Sequence, residues 1–258
     1  MATIEAARGA YLAQQAQIVA WLEALPLEAW ERPSRLPGWT VRELAVHVVV
    51  TGRVVVDAVG AGPVAASALT VAEYVGGYAD AAAQIAQRGL DRARELDAGA
   101  VLALARRELD AFEQALTAVS DDPVVAARRG PTKVSDLIVT RVIEAVVHSL
   151  DLSASTDGEP VGLQRSAVAL TCRALATGLA ERTPGRSVEL RVPPYAAVQC
   201  VPGPRHTRGT PPNVVETDPV TWIELATGRV GWSTAADGGR LRASGERANL
   251  SAYLPVLA

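Results

Sequence analysis

From Ile4 to Leu25 the apolar residues Ile4, Ala7, Tyr11, Leu12, Ile18, Val19 and Leu22 recur at helical spacing, with polar residues such as Gln14 and Gln17 between them. The pattern predicts an amphipathic helix. Pro26 supplies its stop signal, and a connector containing Pro and Trp runs from Trp30 to Trp39. Thr40-Val41-Arg42-Glu43 then reads as a capping box, in which Thr40 accepts from the third helical amide and Glu43 reaches back to the amide of Thr40. A second helix is expected from Val41 to about Ala58. Ala61 to Ala68 is a Gly- and Pro-containing loop, and Thr70-Val71-Ala72-Glu73 repeats the cap signature, predicting a helix from Val71 to about Arg88. Another is expected from about Ala98, after Asp97, to Val119. Arg128 to Thr132 reads as a turn. Val134 to Ser153, free of Gly and Pro, and Leu163 to Glu181 complete the helical series.

The character of the chain changes after Thr183-Pro184-Gly185. Ser187 to Val192 and Ala197 to Val201 alternate with period two, Val214-Val215-Glu216 is a third short strand candidate, and Arg240 to Ser244 is a fourth. Pro219 to Thr227 has Pro at its first position and Gly228 past its end, the asymmetry of helix start and stop. A final helix is expected from Arg247 to Leu254. The fold class is α+β: a helical bundle over residues 1–183, then a small α+β domain over residues 184–258.

Composition narrows the functional classes. The 258 residues are 49% hydrophobic and 21% charged, as in a globular protein with a sizeable core. A net charge of −3 supplies no general attraction for nucleic acid or an anionic membrane, so neither is an expected partner. Aromatic content is 4%, which leaves Ala, Val and Leu to build the core. Lys133 is the one lysine among 25 basic residues, a bias read first as GC-rich codon usage and second as the bidentate carboxylate-binding preference of Arg. Cys172 and Cys200 cannot make a disulfide framework, the N-terminus lacks a signal-peptide pattern, and the Val-rich stretch 46–59 is broken by His47, Arg53 and Asp57. The expected location is cytoplasmic, and the expected state a monomer or weak homo-oligomer.

Histidines are scarce: His47, His148 and His206. His47 shares a helical face with Leu44 and Thr51 and is expected to point into the bundle. His148 lies four residues after Glu144, on the same face, and Asp151 returns to within roughly 20° of Glu144's direction. The three form one polar stripe on a helix otherwise rich in Val, Ile and Leu. A buried carboxylate is costly unless paired or metal-bound. Glu144 and His148, faced by His47, would supply three N/O donors, the ligand count of a catalytic zinc site with its fourth position open. An ion pair between Glu144 and Arg141 or another Arg satisfies the same requirement. His206, in a Pro- and Gly-rich loop, reads as an exposed bystander.

Two stretches carry a family resemblance: Pro33-Ser34-Arg35-Leu36-Pro37-Gly38-Trp39-Thr40-Val41-Arg42-Glu43-Leu44-Ala45-Val46-His47, and Arg141-Val142-Ile143-Glu144-Ala145-Val146-Val147-His148-Ser149-Leu150-Asp151-Leu152. Together they resemble the mycothiol-dependent maleylpyruvate isomerase family, part of the wider DinB/YfiT-like group of helical-bundle metalloproteins. The resemblance covers roughly residues 1–183 and implies an up-and-down bundle with zinc bound by His47, Glu144 and His148. Thr217 to Arg229 and Gly239 to Gly245 resemble the sterol-carrier-like domain fused to many family members, here expected to contribute packing rather than lipid transport.

The resemblance implies a cytoplasmic, actinobacterial enzyme in which the metal holds a low-molecular-weight thiol, mycothiol or a relative, as thiolate. An isomerase would add that thiolate to the cis double bond of an unsaturated dicarboxylate, allow rotation and release it; an S-transferase would attack an electrophile and leave the thiol attached. Arg141, on the face of His148, is the first candidate for recognising a substrate carboxylate, and Arg229, beside the Gly228 turn, the second. Trp39 is placed at the pocket mouth as a contact for the thiol cofactor, with a packing anchor as its plainer role. The alternatives are a non-catalytic lipid or small-ligand carrier using the C-terminal domain, and a metal-dependent regulatory partner.

Overall fold

The computed structural model describes residues 2–76, 90–91, 93–203 and 212–257. They form two compact units, one of residues 1–70 and 79–167, the other of residues 71–78 and 168–258. The units part inside one helix, ahead of the change in sequence character at residue 183, because periodicity marks a helix's buried face without naming the element that covers it.

In the first unit, α1 (Ile4–Ala24) starts on Thr3, whose hydroxyl accepts from Ala6 N at 3.2 Å. Its apolar residues Ala7, Tyr11, Ile18 and Leu22 are buried, and so are Gln14 and Gln15. Gln14 donates to Ser149 Oγ and Gly162 O, both at 3.0 Å, and accepts from Gln164 N at 2.8 Å, so its burial leaves no orphan polar group.

The expected second helix is two helices, α2 (Val41–Val49) and α3 (Arg53–Gly60). The carbonyl of Val48 accepts from Thr51 Oγ1 at 2.8 Å and from Gln15 Nε2 at 3.0 Å, groups that compete with the helical amide four residues on. Gly52 follows, where a Cβ would stand 2.8 Å from Tyr11 Oη and 3.1 Å from Phe112 Cδ2, so a larger residue would have to displace both side chains.

Two helices follow α3, one in each unit. α4 (Val71–Gly76) belongs to the second unit, and the rest of the helix expected up to Arg88 lies outside the described residues. α5 (Ala98–Leu116) is capped by Asp97, which accepts from Ala100 N at 2.8 Å, and ends three residues before the expected Val119. The turn expected at 128–132 is the end of a hairpin: β1 (Val124–Ala127) pairs antiparallel with β2 (Gly130–Lys133) around Arg128 and Arg129. Strands of four residues are too short to display alternation. α6 (Val134–Ser153) has the predicted bounds and is buried on nearly every side, as its continuous apolar sequence requires. It packs against α1 and α2, while α3 packs against α5.

The second unit takes up α7 (Arg165–Arg182) from Val168 onward. Its four-stranded sheet has the order β4 (Ala196–Cys200), β3 (Val188–Val192), β5 (Val214–Thr217), β6 (Leu241–Ser244), with β3 and β5 parallel and the other pairs antiparallel. Val188, Leu190 and Val192 are buried on one face, as the alternation predicts. α8 (Pro219–Ala226) begins on Asp218, which accepts from Thr221 N at 3.0 Å, and Gly228 beyond its end takes φ +70°.

In this unit one helix goes unanticipated and one expected helix does not form. The six-residue α9 (Trp232–Asp237) has Gly231 at its N-cap and no side-chain cap, so it leaves no signature in the sequence. The final helix expected over Arg247 to Leu254 is only a 3₁₀ turn, Ser251–Tyr253. Asn213 Oδ1 takes the amide of Arg247 at 3.0 Å and Asn249 Oδ1 that of Ser251 at 2.9 Å, diverting donors from a helical ladder.

Candidate metal centre

The site is built in the first unit from α2, α6 and the loop before α2. The loop closes on itself through Ser34 N to Trp39 O at 2.7 Å and a bridge between Pro33 and Thr40. The capping box is present: Thr40 Oγ1 accepts from Glu43 N at 3.2 Å, and Glu43 Oε2 accepts from Thr40 N at 2.7 Å. With its start fixed, α2 buries Val41, Leu44, Ala45 and Val48, and His47 enters the bundle with its side chain 15% exposed.

Across from it, α6 presents the polar stripe. His47 Nε2 lies 3.8 Å from Glu144 Oε2. The rings of His47 and His148 meet edge to face with centroids 4.9 Å apart. Ligand atoms of His47, Glu144 and His148 all lie within 4.8 Å of one another, the one such cluster of three among the described residues. Glu144 Oε1 forms an ion pair with Arg141 Nη1 at 3.1 Å, and Arg141 Nε donates to Thr140 Oγ1 at 3.0 Å from a side chain only 6% exposed. The sequence left two kinds of partner open for Glu144, an arginine or a site shared with two histidines; Arg141 stands beside Oε1 and His47 beside Oε2.

Below this layer His148 Nδ1 is 3.0 Å from Oδ2 of Asp151, a fully buried carboxylate. Arg35 Nε lies 3.9 Å from the other oxygen of Asp151. Spacing put Asp151 on the stripe; Arg35, from a loop distant in sequence, carried no signal of its own beyond membership of the Pro33 to Trp39 motif.

Burial pushes the His47 imidazole down from 6.5 to about 4. The neighbouring His148 lowers it further, Glu144 opposes the shift, and Arg141 adds to it. His47 is therefore neutral at pH 7, with a nitrogen lone pair available to a metal without displacing a proton. Two imidazole nitrogens and one carboxylate oxygen suit zinc. Donors about 2.1 Å from a common centre in tetrahedral array are roughly 3.4 Å apart, so side chains whose ligand atoms lie within 4.8 Å of one another would draw inward to hold the ion.

The remaining candidates are less central. The half-buried Trp39 stands edge-on to His47, with ring centroids 5.6 Å apart. Arg229 is in the second unit, where its Nη1 donates to Thr227 O at 2.9 Å. His206 lies outside the described residues.

A helical bundle with a His/Glu/His cluster, followed by a small α+β unit, defines the class. Residues 11–153, more than half of the chain, match the mycothiol maleylpyruvate isomerase N-terminal domain, and residues 164–256 match the family described as a bacterial SCP ortholog. The chain belongs to the mycothiol maleylpyruvate isomerase N-terminal domain family, a family of enzymes. Two solved structures share its fold. One is a histidine mutant of mycothiol-dependent maleylpyruvate isomerase, 15% identical with a TM-score of 0.62, over 94% of this chain and 93% of that one. The other is mycothiol-dependent maleylpyruvate isomerase itself, 15% identical with a TM-score of 0.58, over 89% and 90%. No curated protein matches the sequence. Among the described residues no helix is long and apolar enough to cross a membrane.

Proposed function

We propose that the chain is a zinc-dependent enzyme using a low-molecular-weight thiol of the mycothiol type, either an isomerase of unsaturated dicarboxylates or an S-transferase acting on electrophiles, and that it works in the cytoplasm. The observation that carries this reading is the convergence of donors from His47, Glu144 and His148 within 4.8 Å, in the family whose described domain is that of mycothiol maleylpyruvate isomerase. Zinc held there would stabilise a thiol as the thiolate, the nucleophilic form, at neutral pH.

The residues around it divide the remaining work. His47 and His148 offer neutral nitrogens and Glu144 one negative charge, so the donor set keeps a dication net positive and attractive to a second anion. Arg141 holds Glu144 in place through one oxygen, and its charge, felt at His47, favours a substrate carboxylate nearby. Trp39 offers an aromatic wall beside His47 for the thiol cofactor. The isomerase and S-transferase readings share thiolate attack and differ in whether the thiol leaves. The carrier alternative is not favoured, since it assigns nothing to this cluster.

The test is a turnover screen of the purified full chain with mycothiol, glutathione or no thiol, against unsaturated dicarboxylates and alkylating electrophiles. Turnover that requires mycothiol supports the proposal. Turnover indifferent to thiol, or saturable lipid binding with no thiol-dependent turnover, contradicts it.

A further inference from the structure

We infer that Asp151 is a positioning residue that fixes which nitrogen His148 turns toward the metal, and that the Pro33–Trp39 loop braces it through Arg35 and Ser155. The inference rests on the reading of His148 as a metal ligand given above. A carboxylate with no solvent exposure is expensive unless its charge is met by donors. Each oxygen of Asp151 has a partner: His148 Nδ1 in hydrogen-bond range of Oδ2 at 3.0 Å, and the Arg35 guanidinium as a charge 3.9 Å from Oδ1.

Because a carboxylate can only accept, Nδ1 of His148 carries the proton. Nε2 is then left with the lone pair that a metal needs. Ser155 ties the arrangement to the loop: its Oγ donates to Asp151 O at 2.6 Å and accepts from Arg35 N at 2.9 Å. The loop that reaches His148 through Arg35 and Asp151 also sets Trp39 against His47. One short segment therefore braces both imidazoles, although they stand on different helices.

The experiment uses the full chain as wild type, Asp151→Ala, Asp151→Asn and Arg35→Ala. Zinc affinity is read by competition with a chromophoric chelator, and the His148 tautomer by ¹⁵N NMR of the metal-free protein. The wild type should show the Nδ1–H form. Asp151→Ala should mix the tautomers and weaken zinc binding roughly 10- to 100-fold. Asp151→Asn, which keeps a carbonyl acceptor but loses the charge, should retain the tautomer with an intermediate loss; it decides the matter if the alanine variant does not fold. Arg35→Ala should weaken zinc binding several-fold with the tautomer intact. Wild-type zinc affinity and an unchanged tautomer in Asp151→Ala, or wild-type affinity in Asp151→Asn, overturn this inference alone. A wild-type chain that takes up no zinc overturns the ligand reading and this inference with it.

Discussion

Glu144 is shared between a guanidinium and an imidazole: Oε1 lies 3.1 Å from Arg141 Nη1, and Oε2 lies 3.8 Å from His47 Nε2. Arg141 and Glu144 are one helical turn apart on α6, whereas His47 arrives from α2. A carboxylate in this half-buried setting needs positive charge beside it. In the metal-free protein Arg141 supplies that charge, and a bound dication would supply more.

Arg141→Met should therefore destabilise the metal-free protein by about 3 kcal/mol, since it removes the guanidinium beside a largely buried carboxylate. In saturating zinc the gap between variant and wild type should narrow. Urea unfolding of both proteins, with zinc and with a chelator, measures it; an equal gap in both conditions would separate Arg141 from the metal site.

The depressed pKa of His47 makes stability depend on pH. The unfolded chain takes up a proton at about 6.5 and the folded one only at about 4, so between these values the unfolded state binds more protons. Stability present above pH 6.5 is lost as the pH falls toward 4, by up to about 3 kcal/mol from this group. Chelator-treated wild type and His47→Gln, compared by denaturant unfolding from pH 7 to pH 4, should diverge in this sense, with the wild type losing more. Parallel pH profiles would contradict it.

Thr40→Ala removes the hydroxyl that accepts the Glu43 amide and should cost about 1 kcal/mol. Because α2 carries His47, zinc affinity should fall as well. Thermal unfolding and zinc titration of the one variant read both effects, and a loss of stability with unchanged affinity would show that the cap does not set the position of His47.

Gly52→Ala tests the break between α2 and α3. The φ of Gly52 is −65°, which alanine adopts freely, so the cost is steric: the new methyl meets Tyr11 Oη and Phe112 Cδ2. A loss of about 1–3 kcal/mol is expected by urea unfolding. A stabilised variant would mean that Tyr11 moves aside at no cost.

Much of this was legible in the chain because it is local. The capping box, the bounds of α6 and the Glu144, His148, Asp151 stripe all follow from spacing within one helix. What was not legible depends on neighbours remote in sequence. Gln15 reaches Val48 O across the bundle and helps end α2 early; Asn213 takes the amide of Arg247 and prevents a terminal helix. Gln14 and Gln15, polar by type, are buried because specific partners meet them. In the site, the approach of Arg35 to Asp151 is a loop-to-helix contact that no periodicity reports.

Zinc content tests the central claim most directly. Full-length protein purified without chelator and measured by inductively coupled plasma mass spectrometry should hold one zinc per chain, and the folded His47→Ala/His148→Ala double variant should hold none. A metal-free wild type that cannot be reloaded, or a double variant that keeps its zinc, would contradict the account.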